Sequence, residues 1–278
     1  MSLAAAMLTF GNWRARFIAP QPRAVHVSAE LAFSLAKQQH HAAISSIIEK
    51  LETGLDVNAH LSKGVSVAYQ PQADRAAALH RRRDLDQLIS DWGMHHLHLS
   101  TDVGPDGFVA RTGDLLFVAI KPDAAYLLDV LPHGNWAEVG LVEIAVRNWP
   151  NAGIVHRLQG VLGLAQPTTA DDRHRLRRAG VVCLLEIDGM VFTPPGQTTA
   201  GTPMRVTIAA NKCMNALRQL RQGLDENPDA LDDLLQAKGI DAPRPGAWSP
   251  HVDDETGLFG MVEATTGTFV PVGQIPDW

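Results

Sequence analysis

Apolar residues recur at helical spacing first and at strand spacing later, and that change of period divides the chain. Ser28 reads as an N-cap with Glu30 in the first turn, and Leu31, Leu35, Ile44, Ile47, Ile48 and Leu51 follow at helical intervals up to Gly54. One long helix, or two broken near Gln38–His41, is predicted over 28–53, with the C-terminal glycine as its stop. Leu55 to Gly64 is a connector, and Asp74 to Ser90 is a second helical stretch with Leu79, Leu85, Leu88 and Ile89 apolar. From Trp92 the period shortens: Met94–Leu99, Leu115–Ile120 and Ala125–Leu131 are three β-type runs. Lys121-Pro122-Asp123 joins the last two as an antiparallel hairpin that sets Leu116 opposite Asp129. Both hairpin strands are apolar on both faces, so they are expected to be covered on both sides.

Asn135 is placed to cap a helix over 136–147, which must end before Pro150. Residues 161–180 read as a surface linker containing the basic run Arg173 to Arg178. Val181–Ile187 and Met190–Thr193 around Asp188-Gly189 form a strong hairpin signal. Val206–Leu220 and Ala230–Ala237 read as helices, and 257–263 and 267–272 as short strands. The order implies an α+β fold: a helical N-terminal region packed on a central antiparallel or mixed sheet, with a C-terminal hairpin-and-helix extension. The expected division is an extended lead-in over 1–27, a core over 28–160 carrying the histidines, and an extension over 161–278.

Composition adds limits. The chain has 278 residues, 45% of them hydrophobic and 19% charged, enough to bury a sizeable core. A net charge of −6 argues against a general polyanion binder, whose basic footprint it lacks, while leaving room for a local basic patch. Cys183 and Cys213 lack CxxC spacing and read as free thiols, consistent with a cytoplasmic protein. Arg14 and Arg16 follow the first apolar run instead of preceding it, and no stretch approaches ~18 apolar residues, so neither a secretory signal nor a membrane span is expected.

Candidate chemistry lies between 91 and 136. In Met94-His95-His96-Leu97-His98-Leu99 a strand puts His96 and His98 on one face and His95, Leu97 and Leu99 on the other. Arg111, Lys121, Asp129 and His133 lie on or beside the neighbouring runs. One reading is metal-free: His96, His98 and His133 share general acid and base roles, and Arg111 or Lys121 stabilises charge on a phosphoryl group. A second takes His96 and His98 with Asp129 or His133 as ligands of zinc, iron or manganese. The His-x-His pair matches neither the cupin pattern, which needs a nearby glutamate, nor that of amidohydrolases, whose β/α units do not fit these spacings. A third reading makes the protein a binding or regulatory one with structural histidines.

A helical lead-in followed by a small antiparallel sheet bearing His, Arg and Lys resembles the architecture of small bacterial RNases and toxin-type endoribonucleases over about 70 residues. That resemblance implies a bacterial-type, cytoplasmic phosphodiester hydrolase acting on RNA or another phosphate-bearing partner. Arg81-Arg82-Arg83 and Arg173 to Arg178 read as solvated faces able to steer such a partner, and Trp136 as a base-stacking ring beside His133. Asp253-Asp254-Glu255 matches no calcium loop and reads as surface.

Overall fold

The computed structural model describes residues 3–66, 86–134, 139–227, 230–241, 246–253 and 256–274. The 74–85 part of the helix expected over 74–90, the Arg81-Arg82-Arg83 run, the Asn135 cap and Trp136 lie outside the described residues, and the rest of that helix is present as Gln87–Trp92. The chain divides into two compact units, Asn12–Met204 and a second made of Met1–Gly11 with Arg205–Trp278. The division therefore lies at 204/205, and residues 161–204, expected in the C-terminal extension, belong to the first unit.

The first unit is α+β, as expected. Its centre is a four-stranded sheet built from β1 (Ala24–Val27), β2 (Met94–His98), β3 (Asp114–Ile120) and β4 (Ala124–Pro132), in the order β1-β4-β3-β2. β1 runs parallel to β4, and the other pairs are antiparallel. Both faces are covered, which is why β3 and β4 are apolar on both sides. Leu97, Leu116, Val118 and Leu127 pack with Leu31, Ile44, Ile47 and Leu51 on one face. Met94, Leu115, Phe117 and Leu128 pack with Trp92, Leu141 and Val142 on the other.

The helical stretch over 28–53 is three helices, α2 (Ala29–Phe33), α3 (Leu35–Gln39) and α4 (His41–Thr53), following α1 (Leu3–Arg14) in the region expected to be an extended lead-in. The extra break falls at Ser34, whose ψ of 142° is extended while its hydroxyl accepts from Lys37 N–H. Gly54 ends α4 at φ 78°, and a Cβ there would lie 2.7 Å from the Pro22 nitrogen, so glycine is required twice over. Ser28 caps α2 by accepting from Leu31 N–H, and its own hydroxyl donates to the Leu128 carbonyl, tying the helix entry to β4.

On the second face, α5 (Gln87–Trp92) is capped by Asp86 and α6 (Gly140–Asn148) ends before Pro150. A small sheet holds β5 (His156–Arg157), β6 (Leu185–Ile187) and β7 (Met190–Thr193). The turn between β6 and β7 has Asp188 at φ 49° and Gly189 at φ 72°, the type I′ signature that an Asp-Gly pair suits.

The surface linker expected over 161–180 contains a helix, α7 (Ala170–Arg178), with a Thr169–Asp172 capping box. Two of its arginines are buried, contrary to the solvated reading. Arg177 Nε donates to Asp91 Oδ2 at 2.8 Å, and its guanidinium stacks 4.3 Å from the centre of the Trp92 ring. Arg173 donates to the Thr168 carbonyl. Few apolar residues are available on ADDRHRLRR, so the buried Arg177 takes over the task of holding this helix to α5.

The second unit has α8 (Met204–Glu226), α9 (Ala230–Ala237) and an antiparallel sheet of β8 (Trp248–Val252), β9 (Leu258–Glu263) and β10 (Phe269–Gln274). β8 was not expected; it contains Pro250, a poor strand residue, and lies at the edge of this sheet, where proline is tolerated. Both cysteines are free thiols. Among the described residues no helix is long and apolar enough to cross a membrane.

Candidate functional site

β2 is the edge strand of the central sheet, entered through Gly93, which ends α5 at φ 68°. His96 and His98 share the face of Met94, and His95 shares that of Leu97, the alternation a strand imposes. His98 lies opposite Leu115, and Leu115 lies opposite Leu131, so His98 and the end of β4 meet at one end of the sheet. His133 follows Pro132 there and donates its backbone N–H to the Gly113 carbonyl at 2.8 Å.

His98 is buried, with only 2% of its surface exposed. Its Nδ1 accepts from the Thr112 backbone N–H at 3.2 Å, and its carbonyl accepts from His60 Nδ1 at 2.9 Å. His60 is itself buried, with its Nε2 3.5 Å from Lys50 Nζ. Burial first, then the positive character of His96, Arg111, His133 and His60, pushes the His98 pKa down to about 4.

His96 is also held below the ordinary histidine value, mainly by burial, with His133 and Arg111 acting in the same sense. Asp86 opposes them, its Oδ2 lying 3.7 Å from His96 Nδ1. The other oxygen of Asp86 accepts from Leu88 and Ile89 N–H, so one carboxylate both starts α5 and faces the histidine. His96, His98, Arg111 and His133 thus lie near enough to one another to share an electrostatic field. Arg111 and His133 are exposed at its rim.

Two residues singled out from the sequence lie elsewhere. Lys121 is in the β3–β4 turn, at the opposite end of β3, and donates from Nζ to the Gly153 carbonyl at 2.8 Å. Asp129 lies opposite Phe117, not Leu116, because one extra residue bulges from β4 at this point. Its Oδ1 accepts from Val130 N–H at 2.8 Å, and burial followed by the nearby Glu30 carboxylate raises its pKa. Among the described residues no histidine or arginine bonds to it, so it leaves the site. Among the described residues no group of three or more His, Cys, Asp or Glu is arranged to hold a metal ion. The proposed zinc, iron or manganese set is not assembled, since Asp129 lies apart and Nδ1 of His98 is taken by a backbone N–H.

Asp86, His60 and Thr112 were not singled out from the sequence. Asp86 had a usable signal, an Asp just before the apolar Leu88-Ile89 pair, where an N-cap belongs. His60 and Thr112 had none, because both act through main-chain contacts made across long separations. Taken together, the site offers the buried His98, the partly buried His96, an exposed imidazole and an exposed guanidinium, with Asp86 the carboxylate that acts on it among the described residues: a surface suited to an anion. No family model, curated protein or solved structure matches this chain.

Proposed function

We propose that this end of the sheet cleaves a phosphodiester without a metal, with single-stranded RNA as the substrate class. The convergence of His96, Arg111 and His133 around His98 carries the reading. Arg111 supplies a permanent charge for the phosphoryl oxygens. His96, oriented by Asp86, is the base: it takes the proton of the ribose 2′-hydroxyl as that oxygen attacks phosphorus. His133, at the rim, gives a proton to the departing 5′-oxygen, leaving a 2′,3′-cyclic phosphate and a free 5′-hydroxyl. The net charge of −6 provides no general attraction for a polyanion, so recognition is local to this corner.

The test is cleavage of a labelled single-stranded RNA by wild type, Arg111→Ala and His133→Ala, with and without EDTA, beside thermal melts. Both substituted side chains are exposed, so the melts should stay within about 1 °C, because surface changes are usually within ±0.5 kcal/mol. Rates should fall by about 10²-fold or more. A strand with a 2′-deoxy sugar at the scissile position should resist, and EDTA should change nothing. Cleavage that survives both substitutions, or that EDTA abolishes, overturns the mechanism. A folded wild type without activity leaves the corner a binding site.

A further inference from the structure

The imidazole of His98 is fixed from two directions. The Thr112 N–H points at Nδ1 from 3.2 Å, and the Thr112 hydroxyl is itself committed, accepting from Leu99 N–H at 3.0 Å and donating to the Asp114 carbonyl. On the opposite side, His60 Nδ1 donates to the His98 carbonyl at 2.9 Å and so holds the strand that carries the ring. A backbone N–H can approach only an unprotonated ring nitrogen, so the proton of the neutral ring must reside on Nε2. Among the described residues Nε2 has no hydrogen-bond partner. Though only 2% of the residue is exposed, Nε2 is not sealed from solvent as the buried unpaired atoms are, so this one edge of a held ring is open to an acceptor from outside the protein. The side chains that act on the ring are His96, Arg111, His133 and His60, with Asp86 beyond His96 and Lys50 beyond His60. Arg111 and Lys50 are permanent cations, and the only carboxylate among these groups, Asp86, stands beyond His96, so the acceptor that suits Nε2–H is an oxygen of a bound anion.

We propose that His98 is the fixed hydrogen-bond donor of this site, presenting Nε2–H to a non-bridging phosphoryl oxygen, and that Thr112 is the positioning residue that locks this tautomer. Proton transfer then falls to His96 and His133. The low pKa of His98 agrees with this division, since a ring that stays neutral down to about 4 donates a hydrogen bond throughout the neutral range without exchanging its proton. The identity of the anion as a phosphodiester rests on the proposed function; the tautomer and the anion site do not.

Long-range proton–nitrogen NMR correlation of uniformly 15N-labelled protein at pH 7 reads the tautomer directly. His98 should show a protonated Nε2 and a bare Nδ1, and inorganic phosphate should shift its Nε2–H resonance saturably. His98→Gln keeps an amide N–H near the Nε2 position but cannot exchange protons as a histidine does. It should hold phosphate within about threefold of wild type, while His98→Ala loses about 10- to 100-fold, the usual range for a hydrogen bond to a charged partner. His98→Gln should also leave the pH profile of cleavage unchanged. Thr112→Pro deletes the N–H and should produce mixed tautomers; if that chain does not fold, the wild-type and His98→Gln measurements decide alone. A proton on Nδ1, a doubly protonated ring at pH 7, or phosphate binding equal in wild type and His98→Ala overturns the assignment. An Nε2–H that responds to phosphate in a protein that does not cleave RNA supports the donor and refutes only the hydrolase.

Discussion

Mild acid should unfold this protein through its histidines before its carboxylates dominate. A histidine in the unfolded chain takes up a proton near pH 6.5, whereas His98 in the fold resists until about 4. The folded value is the lower one, so the contribution of His98 is complete above pH 6.5 and is lost as the pH falls toward 4. Over that window the unfolded state binds a proton that the folded state refuses, at about 1.4 kcal/mol per pH unit. Between pH 6.5 and 4.5 the loss is therefore roughly 2–3 kcal/mol from His98 alone. His60 and His96 are lowered as well and add in the same direction. Set against the ~5–15 kcal/mol typical of a folded domain, this is a large share. The assay is urea unfolding at half-unit steps from pH 7.5 to 4.5, for wild type and for His98→Asn, whose side-chain oxygen can accept the Thr112 N–H. Titrating carboxylates are common to both chains and cancel in the difference. The wild-type curve should fall more steeply, by roughly 2 kcal/mol over the window. Parallel curves would show that the ring is not held neutral and would refute the electrostatic account of the site.

Arg177→Ala should destabilise the first unit by about 3–5 kcal/mol, because it strands the buried Asp91 carboxylate beside Trp92; the Asp91→Ala/Arg177→Ala double variant should lose less than the two single losses summed, as a thermodynamic cycle of chemical melts will show. Gly189→Ala places a Cβ at φ 72° in the β6–β7 turn and should cost about 1 kcal/mol by the same melts, with no change in RNA cleavage.

The elements that local chemistry determines were legible in the chain. Asp188-Gly189 demanded its turn, Gly54 its helix end, and the two-residue period of 94–98 its face assignment. Ala230–Ala237 also matches its expected bounds. What escaped depends on partners far away in sequence. Arg177 looks solvated until Asp91 and Trp92 arrive from α5. Ser34 breaks a helix that its apolar neighbours would continue, because its hydroxyl caps the next one. Of the site, His96, His98, Arg111 and His133 could be listed from their clustering alone. Lys121 and Asp129 could not be removed from that list without the strand register. The hairpin register expected from its turn holds from Ile120–Ala125 to Val118–Leu127 and then slips by one.

That slip at Leu128 divides β4 into a half phased by its turn and a half phased by its far end. Leu127 and Val130, three positions apart, both face the α2–α4 side, which an unbroken strand would forbid. Leu128 is the one surplus residue between the two halves, so deleting it would straighten the ladder and still leave Asp129 opposite Phe117, Val130 opposite Leu116 and His133 beyond them where they are. In a lineage descended from this chain, a single-codon deletion there would cost the core Leu128 and still leave the corner assembled, so the bulge works as slack that shields His133 from a change in strand length.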